Sequence, residues 1–300
     1  MTKREGRSQS SLPSPGNIFD SERAINVKSV RMISPFRYPG GKTWFVPYFE
    51  RYFKQRGRPI RELIEPFAGG ASVSLTAISE GWAKHATLGE LDPDVASVWQ
   101  TILSGHGRWL ANRVRTFAFS AESVEQVLTG PTKSTRTRAF ATILRNRIQR
   151  GGILHPSARV LNKGERNNGI NSRWYPETLG TRIDNITSLK SKIRFVAWDG
   201  MKLLNQKKHL KTATYFIDPP YAVAGRRLYP LASVEPRALF ALVAKLEGDP
   251  IITYEDTPEI RSLGSEFGLE YCSVPMMNTH HATRQELIIG RDVDWIKKSD

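Results

Sequence analysis

The chain has 300 residues, 39% of them hydrophobic, with 13 Phe, 9 Tyr and 7 Trp, enough for one large α/β domain with an insertion or for two modest domains. No window approaches the roughly 18 consecutive apolar residues of a membrane span, and the single cysteine, Cys272, excludes an internal disulfide and a Cys-rich zinc site, so a cytoplasmic protein is expected. The net charge of +15 is concentrated: residues 101–215 hold 21 Lys and Arg against 6 Asp and Glu, while the rest of the chain is balanced. An Arg-rich excess in one block predicts binding to a polyanion rather than a generally solvated surface.

Residues 1–30 are rich in Ser, Pro, Gly and Arg without periodicity and read as a disordered leader; a DNA-touching arm is the alternative. Beyond them short apolar runs alternate with helical patterns. RELIEPF (61–67) reads as a buried strand, SVSLTAISEGW (72–82) as a helix, ATLGELD (86–92) as a strand and DVASVWQTIL (94–103) as a helix. After the basic block IRFVAWD (193–199), ATYFIDPPY (213–221), PIITYED (250–256), YCSVPMM (271–277) and QELIIG (285–290) are strand-like, and PRALFALVAKLEG (236–248) has helical spacing. This alternation implies a mostly parallel, doubly wound sheet with an antiparallel pair at its edge. Residues 31–103 and 193–300 would form the core, and 104–192 an insertion of helices and loops, whose irregular stretch 151–175 is of the kind that carries function.

Four segments carry the chemistry. In FRYPGGKT (36–43) the GKT suggests a P-loop, but Phe36 stands where that motif needs glycine; the other reading is a turn that brings Tyr38 and Lys42 to a nucleoside or carboxylate. EPFAGGAS (65–72) joins a strand to a helix, and Phe67, Gly69 and Gly70 are its candidate ligand contacts, although no dinucleotide fingerprint is present. GELD (89–92) ends the second strand, where Rossmann-like folds hold ribose hydroxyls; Glu90 is the first choice and Asp92 the second, with a helix cap as the alternative for Asp92. DPPY (218–221) ends the apolar strand TYFI. There Asp218 and the fixed carbonyl of Pro219, stiffened by Pro220, can accept two N–H bonds from one amino group, and Tyr221 offers a face for a planar base. Two acceptors on an aryl amine favour its pyramidal form and aim the lone pair at a methyl sulfonium, so positioning and electrostatics can suffice. His280 and His281 have no spaced metal-binding partners, and no metal site is expected.

In this order FRYPGGK, IEPFAGGASV, GELD and IDPPY resemble the motifs of the Dam-like (D12 class) N6-adenine-specific DNA methyltransferases. Secondary matches lie at FATILRNR…GG (140–152), SRWYPETL (172–179), YEDTPEIR (254–261) and RQELIIG (284–290), so the resemblance spans about residues 33–290. It implies a Rossmann-like core that uses S-adenosyl-L-methionine, contacted by Tyr38, Lys42, Glu90 and Asp218, with Asp199 of VAWDG near the donor adenine. Asp218, Pro219 and Tyr221 would hold a flipped adenine. The insertion would recognise double-stranded DNA, with Arg145, Arg147, Arg150, Asn167, Asn168, Asn171 and Arg173 as candidates for phosphates or purine edges. Tyr38 stands where tryptophan is common in the family and Glu90 where aspartate is common. The resemblance also implies a bacterial, archaeal or phage-infected cell and admits a companion restriction endonuclease. Two rivals are weighed on the same residues: N4-cytosine methylation, which more often carries Ser before Pro-Pro, and a catalytically idle DNA-binding module, which would have lost Asp218, Tyr221 or Lys42.

Overall fold

The computed structural model describes residues 30–37, 41–131, 134–154, 158–161, 169–220, 234–277 and 283–296. Among them one seven-stranded sheet contains β1 (Ile60–Glu65), β2 (Ala83–Gly89), β3 (Ile193–Val196), β4 (Ala213–Ile217), β5 (Asp249–Glu255), β6 (Glu270–Met277) and β7 (Thr283–Gly290), in the order β3-β2-β1-β4-β5-β7-β6. Strands β3, β2, β1, β4 and β5 are parallel, whereas β7 runs antiparallel to both β5 and β6. All seven expected strands are present, and the expected antiparallel pair closes the edge. β4 shows why these runs read so clearly: all five of its residues are buried, as in a parallel strand covered on both faces. The winding reverses between β1 and β4, so the carboxyl ends of those two strands mark the topological switch point, the place where open α/β sheets bind ligands.

Helices cover both faces. Helices α1 (Val46–Arg56), α2 (Ser72–Ser79) and α3 (Pro93–Thr101) share one apolar cluster with Leu63 of β1 and Phe216 of β4. The central block supplies α4 (Gly107–Arg115), α5 (Ala121–Thr129), α6 (Thr135–Ile148) and α7 (Pro176–Ser188). Leu110, Val114, Ile143, Leu144, Ile183 and Ile186 of these helices belong to that same cluster. The insertion is therefore packed continuously with the core, α6 lying against α3 and α4 against α7. On the other face α8 (Gly200–Lys207), α9 (Pro236–Val243) and α10 (Pro258–Glu266) bury Leu203, Phe240 and Leu263 against Ile64, Tyr215 and Ile217.

The sequence patterning did not single out α1, α8 or α10. In α1 the buried face is Val46, Tyr48, Phe49 and Tyr52, aromatic side chains of modest helix propensity, so tertiary packing rather than local preference makes it a helix. Within 151–175 the described residues include an isolated bridge between Gln149 and Val160 and a 3-10 turn, Gly169–Arg173. No described helix is long and apolar enough to cross a membrane, and no group of three His, Cys, Asp or Glu among the described residues could hold a metal ion. The leader lies outside the described residues except for Val30, as do His280 and His281.

Candidate active site

The glycine-rich segment leaves β1 through Pro66 and Phe67 and turns at Gly69 (φ 46°) and Ala71 (φ 51°) into α2. Ala71 is the one non-glycine residue at positive φ among the described residues, a local strain of the kind held at functional sites. Glu90, just beyond β2, ties this turn down: its Oε2 accepts from Gly69 N at 3.0 Å and its Oε1 from Asp92 N at 2.9 Å. Trp99 Nε1 donates to the Gly69 carbonyl at 2.9 Å from the other side. Burial pushes the Glu90 carboxyl up to about 7, with the neighbouring Asp92 charge adding and the backbone N–H groups opposing.

The two readings of Asp92 resolve in favour of the cap, since its Oδ1 accepts from Asp94 N at 2.8 Å and Val95 N at 3.4 Å to open α3. Asp199 likewise caps α8, accepting from Lys202 N at 3.0 Å. The turn it opens packs against the first segment, because any side chain at Gly200 would collide with the Phe67 ring. Phe67, Gly69, Glu90 and the Asp199–Gly200 turn are thus gathered at the carboxyl ends of β1, β2 and β3.

Beside them lies the second half of the site. Asp218 follows β4 and precedes Pro219 and Pro220, and its side chain is 23% exposed. Lys42 Nζ sits 2.9 Å from its Oδ1, and Thr253 of β5 donates to the same oxygen at 3.1 Å. This meeting is set by aromatic packing. Lys42 opens a 3-10 turn that ends at Phe45, and Phe45 stacks on Phe216 of β4 with centroids 4.9 Å apart. One turn after the lysine and two residues before the aspartate, that stack brings the two charges together. Burial alone would lower the Lys42 ammonium, but the charges of Asp218 and Glu286 and the Asp218 hydrogen bond hold it above its usual range.

Two carboxyl groups of this neighbourhood had been given no role. Glu286 of β7 is buried and acts on Lys42, and Glu65 ends β1, accepting from Ser74 N at 3.2 Å. The available signal was an acidic residue directly bordering an apolar run, in LIEP and in ELIIG. Burial pushes Glu65 up to about 8, with the Asp218 charge adding and Ser74 opposing. Its folded value lies above its unfolded one. Glu65 therefore contributes full stability below about pH 4.5 and loses it as pH rises through about 8. Glu65→Gln is expected to flatten the fall of thermal midpoint between pH 5.5 and 8.5, the wild-type loss amounting to at most about 1.4 kcal/mol per pH unit. Parallel melting curves for the two proteins would refute this.

Tyr38, Tyr221, Asn167 and Asn168 lie outside the described residues. The remaining candidates for DNA contact separate by position. Arg150 and Asn171 are exposed and Arg173 is half-buried. Arg145 pairs with Asp94 at 2.7 Å, joining α6 to α3. Arg147 departs from the surface role expected of it. It is 5% exposed, its guanidinium donates to the Pro35 carbonyl, and burial with repulsion from Arg182 lowers it to about 10. A buried carbonyl needs a donor, and Arg147 supplies it from inside the fold. The secondary match YEDTPEIR is also built into the scaffold: Asp256 grips Arg261 through two bonds of 2.6 and 2.7 Å, and Thr257 caps α10.

No curated protein matches the sequence. Among solved structures the chain is similar to a candidate RNA methyltransferase from Pyrococcus horikoshii, with 9% identity over 89% of this chain and 93% of the other and a TM-score of 0.42. It is also similar to a candidate class I S-adenosylmethionine-dependent methyltransferase from Listeria monocytogenes, with 11% identity over 82% and 59% of the two chains and a TM-score of 0.37. Residues 38–123, which include Lys42, the glycine-rich turn and Glu90, match the family described as D12 class N6 adenine-specific DNA methyltransferase.

Proposed function

We propose that this protein transfers a methyl group from S-adenosyl-L-methionine to N6 of an adenine flipped out of double-stranded DNA. The observation that carries the reading is the Lys42–Asp218 pair at the carboxyl end of β4, one strand away from the turn fastened by Glu90. The residues fit a nucleoside sulfonium. Gly69 and Gly70 leave the partly exposed turn free of side chains, Glu90 is an acceptor for ribose hydroxyls, and Phe67 and the Asp199–Gly200 turn border the same edge.

When bound, the donor supplies an electrophilic methyl carbon. The chain's own task is to present the amine to it. Asp218 and the Pro219 carbonyl accept the two N6 protons, which localises the nitrogen lone pair, and Tyr221 stacks on the base. Lys42 and Thr253 fix the rotation of the Asp218 carboxylate before the base arrives, so little reorganisation is needed at the moment of reaction. The N–C bond forms as the C–S bond breaks, and the nitrogen sheds one proton toward the Asp218 side of the site. Extrusion of the base costs roughly a few kcal/mol of stacking and pairing, and phosphate contacts from the basic block can offset it. Arg150, Asn171 and Arg173 are the described residues we assign to that surface.

The test is methyl transfer from labelled S-adenosyl-L-methionine to unmethylated genomic DNA, with nucleoside analysis and mapping of the modified positions. N6-methyladenine in a recurring short motif is expected. N4-methylcytosine, or label in RNA and none in DNA, would overturn the acceptor assignment.

A further inference from the structure

The segment before the Tyr38–Lys42 stretch is held by side chains of the insertion. Asn146, fully buried near the end of α6, accepts from Arg37 N through Oδ1 at 2.9 Å. Its Nδ2 donates to the Arg37 carbonyl at 2.8 Å and to the Gly152 carbonyl at 2.7 Å. The amide thus pairs with both backbone groups of Arg37 as a neighbouring strand would, and uses its second proton on the turn that follows α6. Arg147 donates to the Pro35 carbonyl and Arg182 of α7 to the Ser34 carbonyl at 3.4 Å. Gly152 (φ 76°) touches the same place, because a Cβ there would collide with the Arg37 carbonyl oxygen, a backbone atom.

Each end of this arrangement leads to a different ligand of the proposed reaction. Five residues after Arg37, Lys42 is fastened to Asp218. On the other side, Gly152 belongs to the turn that carries exposed Arg150 and that is held by the Gln149–Val160 bridge. Arg37, Asn146 and Gly152 form one contact between the residues that lead toward Lys42 and the basic segment.

We infer that Asn146 is a positioning residue that couples the two substrates: a duplex seated on the 149–152 turn favours the placement of the donor segment that binds S-adenosyl-L-methionine, and the donor favours the duplex in return. This rests on the function proposed above. Coupling of this kind is a free energy between two sites and is reciprocal. A merely structural Asn146 would weaken donor and duplex binding alike and leave the ratio between them untouched.

The experiment is calorimetric titration of the full chain with sinefungin, a non-transferring donor analogue, alone and with saturating unmethylated plasmid duplex fragments. In wild type the duplex is expected to tighten sinefungin by about tenfold. In Asn146→Ala and Gly152→Ala that factor should collapse toward one. A factor of one in wild type, or an undiminished factor in both variants, would overturn the coupling. A second measurement needs no variant: duplex added without sinefungin should slow hydrogen exchange in the peptide that contains the Arg37 amide, and unchanged exchange would overturn the inference. A wild-type chain that binds no sinefungin overturns the donor assignment itself, and the first titration separates that result from a loss of coupling.

Discussion

Asp218→Ala is expected to lower methyl transfer by about 10³-fold or more while leaving most of the duplex affinity in place. In the proposed reaction the carboxylate is the acceptor that localises the N6 lone pair, and its orientation is already set by Lys42 at 2.9 Å and Thr253 at 3.1 Å. Deleting it removes an interaction that strengthens as charge develops on the amine, so the loss should fall on kcat rather than on KM. DNA affinity survives because most of it comes from phosphate contacts made elsewhere. The alanine variant also takes a partner from the buried Lys42 ammonium, although Glu286 still acts on that charge, so some loss of stability is expected beside the loss of turnover. Asp218→Asn separates the two effects. It keeps the shape and one acceptor oxygen, and should sit between wild type and alanine in rate. Near-normal turnover by the alanine variant would remove Asp218 from the chemistry.

The sheet was legible because parallel strands covered on both faces are apolar for most of their length, and β4 announces itself that way. The turns were legible because glycine and proline mark backbone that other residues cannot follow, as at Gly69–Ala71 and Pro219–Pro220. What the sequence concealed falls into two kinds. Buried polar side chains at long separation carry no local pattern: Asn146 reaches Arg37 across 109 positions, and Glu286 acts on Lys42 from the far end of the chain. Charge also misled where burial was invisible. Arg147 and Arg150 look alike in a basic string, yet α6 turns the first inward onto Pro35 while the second stands exposed just beyond the helix end. The continuity of the insertion with the core was hidden for a related reason. Its apolar residues are diluted among arginines, and α6 buries Asn146 and Arg147 along with Ile143, Leu144 and Ile148, so no clean apolar face marks it in the sequence.

Glu90 supplies the second large effect, through pH. Burial holds its carboxyl at about 7, well above an exposed glutamate, so near neutrality the apo protein is divided between the acid and the carboxylate. Ribose hydroxyls donate their protons, and two of them prefer the ionised form, which still has lone pairs beyond those taken by Gly69 N and Asp92 N. With the ribose contact proposed for Glu90, donor binding draws the side chain into ionisation. The sign follows: affinity for sinefungin should be greatest above about pH 7 and should fall below it by up to about tenfold per pH unit, levelling off once the side chain is neutral with and without the donor. Glu90→Gln cannot ionise, and its amide nitrogen must face one of the two backbone N–H groups. At pH 8 it is expected to bind sinefungin about 10- to 100-fold more weakly, the loss of a charge-assisted interaction of about 1.4–2.8 kcal/mol. Below pH 6 the gap between variant and wild type should narrow, because there the wild-type side chain is neutral as well. Titrations of both proteins from pH 5.5 to 8.5 decide the matter. If the two affinities fall in parallel, the pH dependence belongs to another group, such as the donor's own amine, and Glu90 is a fastener of the Gly69 turn without a charge that the donor reads.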